Sequence, residues 1–228
     1  MENAESGIAK RQGLVYVIIG ILVFGSLWGL AEVAIGGGLR VAEFPYRSGL
    51  ATGIGILIMA MALVIHRKPW MLLGIGVVAV LVKLLAVPIL QVSVMCKLNS
   101  IIAVLIQSIA LTLIASLFMT QIGRSIHARM GSGALAAIIA SVGFYFVGSA
   151  AAPCEYLLSF TASGFIITEG LIWAAFSACL LPMGYLAGEK LAASTSPLLR
   201  VKSLYYATSA AVICICWAGS AIAIAAGL

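Results

Sequence analysis

The stretch Leu14–Gly36, LVYVIIGILVFGSLWGLAEVAIG, holds one charged residue, Glu32, in 23 positions. A helix needs roughly 20 apolar residues to cross a bilayer, and this run supplies them. A charge inside hydrocarbon costs about 2.5–3.5 kcal/mol on insertion scales, so Glu32 implies a partner or a task. The pattern recurs in Ser48–Ile65, Trp70–Pro88, Asn99–Thr120, Ser132–Ala152, Thr161–Tyr185 and Leu204–Gly227. These continuous runs point to helices, because barrel strands alternate apolar and polar residues. The expected fold is an all-α polytopic transmembrane helix bundle with about seven spans. It has six if one weak segment, such as the Ala-, Gly- and Ser-rich fifth or seventh, does not cross.

Composition agrees. The chain is 63% hydrophobic and 9% charged, with a mean hydropathy of +1.19 and no aspartate, whereas soluble domains carry about 25% charged residues. Residues 1–228 read as a single transmembrane domain with a short cytoplasmic tail over 1–13. The first apolar run is longer than the 7–15 or so residues of a signal-peptide core and reads as an uncleaved span. The net charge of +6 does not suggest nucleic acid, because the basic residues are dispersed among loops.

Those loops set the topology. Lys10, Arg11, Arg67, Lys68, Arg124, Arg129, Lys190, Arg200 and Lys202 fall in alternate connections. The positive-inside rule places them in the cytoplasm, with the N-terminus inside and the C-terminus outside.

The other polar residues then gather in the outer leaflet. Glu32 ends span 1, and Arg40, Glu43 and Arg47 occupy the first outer connection. Lys83 lies in span 3, Lys97 in the second outer loop, Asn99 and Gln107 in span 4, Glu155 in the third outer loop and Glu169 in span 6. A through-channel would want polar groups at every depth; this distribution fits a cup open to the outside. Gly25, Gly29, Glu32 and Gly36 share one helix face, and Gly25 and Gly29 allow close helix approach. Asn99, Ala103 and Gln107 share a face of span 4. Glu32 and Lys83 read either as a structural ion pair, as walls of a small-molecule solute site, or with Glu169 as an ion relay. Gly36-Gly37-Gly38 is expected to end the first helix and start a loop through Arg47 that closes over the cup.

Cys96 and Cys154 both fall in outer loops and form a candidate disulfide. Cys179, Cys214 and Cys216 read as packing residues. His66 and His127 are placed in cytoplasmic loops, so no span offers a histidine to a haem. No H-E-x-x-H or P-loop signature is present, and no nucleophile sits beside a base. The chain is read as non-enzymatic, with no cofactor and no resident metal.

The outward cup, the glycine-rich first helix and the long first outer connection resemble the substrate-binding S component of energy-coupling factor transporters. The resemblance implies a multi-pass protein of a prokaryotic cell membrane that captures a small polar metabolite or ion from outside. It also implies a separate coupling membrane protein and ATPase subunits as partners. In that family small residues of the first helix contact the coupling protein; here Gly25-Ser26-Leu27-Trp28-Gly29, or Ala31 to Ala34, would correspond. The family has six helices, so the last span is then an addition or one segment does not cross. The alternative is a non-catalytic structural or assembly subunit of a larger membrane complex, whose small-residue spans serve helix contacts.

Overall fold

A computed structural model describes residues 2–195 and 201–228, with side chains described for 13–194 and 201–228. Lys10, Arg11 and Arg200, three of the topology-setting residues, lie outside the described side chains. Seven helical stretches are long and apolar enough to cross a membrane: Gly13–Val41, Arg47–His66, Met71–Leu90, Val94–Arg124, Ile126–Ala151, Ala162–Ser194 and Lys202–Ala225. The protein is an all-α, multi-pass bundle.

In chain order the helices are α1 (Glu2–Val41), α2 (Arg47–His66), α3 (Met71–Leu84), α4 (Ala86–Leu90), α5 (Leu98–Arg124), α6 (Ile126–Ala151), α7 (Glu155–Leu158), α8 (Ala162–Phe165), α9 (Leu171–Thr195) and α10 (Lys202–Ala225). A 3-10 turn, Val94–Lys97, precedes α5, and a π turn, Ile166–Gly170, joins α8 to α9. The span helices close into a ring: α1 packs on α3, α3 on α5, α5 on α6, α6 on α9, α9 on α2 and α2 on α1. The seventh span, α10, stands outside this ring against α1. Trp217 Nε1 donates to Ser26 Oγ at 2.9 Å across that contact, and Val33, Ala86 and Ile224 form a small apolar cluster beside it.

Small residues permit the close contacts of the ring. In lipid, apolar burial drives helices together weakly, so association relies on tight packing. A methyl group at Gly53 would lie 2.5 Å from Leu180, and one at Gly184 would strike the Leu57 backbone, so α2 and α9 meet nearly backbone to backbone. Trp28, fully buried, fills the middle of the ring with Ile56, Met59, Leu72, Ile75 and Leu111.

The helices run beyond the apolar segments read from sequence. α1 continues through Gly36, Gly37 and Gly38 to Val41, so these glycines do not end it; the turn is confined to Ala42–Tyr46. Continuing the helix satisfies each backbone group internally, which a break near lipid would not. For the same reason α2 includes His66 and α6 includes His127. His66 is therefore the last residue of a span, with its ring 4.6 Å from that of Tyr16.

Candidate functional site

The two ends of the bundle differ in chemistry. At the end opposite the Arg67–Arg124 side, two neighbouring cavities share Glu32, Ser48, Ala51 and Ser100 in their walls. The mouth cavity is about 360 Å³ and is lined by Arg40, Arg47, Lys83, Lys97 and Glu32. The inner one is about 220 Å³ and is lined by Asn99, Gln107, Glu169, Phe144, Tyr156, Phe165 and Trp173, among others. Residues from Glu32 to Leu228 thus line one two-part cup.

Each polar group is positioned by a helix. Lys83 Nζ, in the last turn of α3, donates to Glu32 Oε2 at 2.6 Å. Trp28 Nε1, one turn below on α1, donates to Glu32 Oε1 at 3.3 Å. Among the described residues the Glu32–Lys83 pair is the one salt bridge. Asn99 and Gln107 stand two turns apart on α5. Gln107 is 4% exposed, and its Nε2 donates to the Thr52 carbonyl at 2.6 Å. A side chain at Gly55 would lie 2.6 Å from Gln107 Nε2 and 2.7 Å from the Trp28 ring, so this glycine admits both.

Glu169 sits in the π turn, a feature that often marks functional sites because the extra residue re-aims side chains. Ser48 Oγ donates to Glu169 Oε2 at 2.6 Å. Partial desolvation first, and then the neighbouring Glu169 carboxylate, push the half-exposed Tyr156 phenol above its ordinary range. No described lysine or arginine forms a salt bridge with Glu169.

The inner wall is aromatic. The Phe144 ring lies 6.0 Å from Phe165 and 5.7 Å from Trp173, and Phe165 lies 6.3 Å from Trp173. Trp173 is 5% exposed, yet its Nε1 has no hydrogen-bond partner, and neither does the buried Asn99 Oδ1. Buried polar atoms are normally satisfied, so an orphan needs an explanation.

Of the residues expected at the site, Glu32, Arg40, Lys83, Lys97, Asn99, Gln107 and Glu169 line these two cavities. Glu43 and Glu155 do not. Glu43 is exposed in the turn after α1, in a left-handed conformation with φ 51°. Glu155 is exposed in the first turn of α7, where a carboxylate favours the helix N-terminus. The Cys96–Cys154 bond is also absent: both are free thiols, Cys96 on the mouth wall and Cys154 partly buried against the main core. Gly25 and Gly29 face α3 inside the bundle; methyl groups there would collide with Val78 and Val82. Ala31 packs against the main core, and Ala34 is partly exposed.

Sequence reasoning missed the aromatic wall and Ser48. The spacing Phe165, Glu169, Trp173 was a usable signal, since steps of four place residues on one helix face. No family model matches the chain, and no curated protein or solved structure matches it.

Proposed function

We propose that the protein is a membrane-embedded solute-binding subunit that captures a small polar molecule in the two-part cup. The observation that carries this reading is the convergence of Glu32, Asn99, Gln107 and Glu169, from three different spans, on one chamber of about 220 Å³, in a setting where polar groups are costly unless they have a partner or a task. Basic loops at the opposite end favour the cup facing outward under the positive-inside rule.

Energy for transport would come from partners. The ring of six spans with α10 appended on α1 supports the likeness to an S component carrying one extra helix. On this reading a coupling membrane protein and ATPase subunits complete the transporter, in a prokaryotic cell membrane with the N-terminus cytoplasmic.

The test is a thermal-shift screen of detergent-purified protein against vitamins, amino acids, nucleobases and metal ions. A ligand at one hundred times its Kd should stabilise the fold by about 2.7 kcal/mol. The stabilisation should disappear in folded Gln107→Ala protein. If no solute stabilises the protein and none copurifies from native membranes, a structural subunit is the better description.

A further inference from the structure

We infer that the cup sorts its ligand by charge: the inner chamber holds a planar, cation-bearing ring against Glu169, and the mouth holds an anionic group. The assignment rests on the solute-binding reading and specifies the class of molecule, an amphoteric ring compound with its cation innermost.

The inner chamber has the chemistry of a cation site. Glu169 receives a neutral donor, Ser48 at 2.6 Å, but no described cation forms a salt bridge with it. A carboxylate held by one neutral donor has lone pairs left for a ligand. Phe144, Phe165 and Trp173 line the same space. Aromatic faces attract cations through the ring quadrupole, and more strongly where water is excluded. The size fits one ring: a cavity of about 150 Å³ takes benzene, and this chamber offers about 220 Å³.

The mouth has the opposite chemistry. Glu32 there is already neutralised by Lys83. Arg40, Arg47 and Lys97 remain on the same wall with no described salt-bridge partner. Three unpaired cations around about 360 Å³ suit a carboxylate or phosphate. The two cavities adjoin at Glu32, Ser48, Ala51 and Ser100, and the assignment places one molecule across that shared wall.

Three probes on one ring separate the contributions: benzylamine, benzoate and 4-(aminomethyl)benzoate, measured by calorimetry on the purified protein. The expected order is the zwitterion tightest, benzylamine next and benzoate weakest. Glu169→Gln should weaken both amines about tenfold or more, which corresponds to roughly 1.4 kcal/mol. Trp173→Phe keeps the ring and tests the fold, so benzylamine should still bind to it. Arg47→Ala with Lys97→Ala should remove the advantage of the zwitterion and leave benzylamine unchanged. If benzoate binds as well as the zwitterion, or Glu169→Gln leaves both amines unaffected, the charge sorting is wrong. Should none of the three bind while the broader screen finds a Gln107-dependent solute, the charge sorting fails and the solute site stands. If that screen is also empty, both fail together.

Discussion

Lys83 Nζ meets Glu32 Oε2 at 2.6 Å across the α1–α3 contact, with the two side chains 13% and 11% exposed. The pair sits directly above the place where Gly25 and Gly29 let α3 approach α1. Close packing and ion pairing therefore fix the same two helices in register.

Removing one partner leaves the other charge uncompensated, which costs about 3–5 kcal/mol in a fully buried pair. The cup admits some water here, so the lower end is expected for Glu32→Gln and for Lys83→Met. The double variant should recover part of the loss. Thermal or denaturant unfolding in detergent measures this cycle, and two singles as stable as the parent would show that the pair contributes nothing.

Gly184→Ala should destabilise the protein by about 1–3 kcal/mol, the range for overpacking a tight core. The added methyl would strike the backbone of Leu57, which cannot rotate away as a side chain can. Gly131→Ala, where no atom lies within 4 Å, is the control and should be neutral or slightly stabilising. Equal melting temperatures for the two variants would mean that α2 and α9 are further apart than described.

Cys96 is exposed on the mouth, whereas Cys216 is buried. With the cup facing outward, a membrane-impermeant maleimide should label Cys96 in intact cells without prior reduction. A bound solute should slow that labelling. Labelling of Cys96 only after the membrane is opened would invert the topology.

Tyr156 supplies a pH signature. Its phenol is raised above the ordinary value of 10.0, chiefly by partial desolvation and then by the neighbouring Glu169 carboxylate. The folded state therefore holds this proton more tightly than the unfolded chain. Its contribution to stability is complete below about pH 10 and declines as pH rises from there toward the folded value. Tyr156→Phe should flatten the alkaline limb of a stability–pH curve. An alkaline limb unchanged in Tyr156→Phe would show that the folded state does not hold this proton more tightly.

Much of the cup was legible in the chain. Glu32, Lys83, Asn99, Gln107 and Glu169 stand out because a charge or amide in an apolar run is costly anywhere in lipid, whatever its neighbours. Glu43 and Glu155 lie in short connections, where water solvates a carboxylate and its position reveals nothing about direction. The glycines at 36–38 were misleading because their flexibility is only a permission. In a low-water setting the helix that satisfies every backbone group prevails.

The sequence by itself determined the spans, their alternation and the end of the bundle that carries the polar groups. Each of these follows from hydropathy and charge, which act residue by residue against lipid and water. Tertiary structure alone decided that α10 lies outside a ring of six, that α2 packs on α9, and that Glu32 separates a cationic mouth from an aromatic chamber. Those outcomes depend on which small-residue faces fit together. A helical period marks a face but does not name its partner, and apolar rings look alike in sequence whether they meet lipid or a ligand.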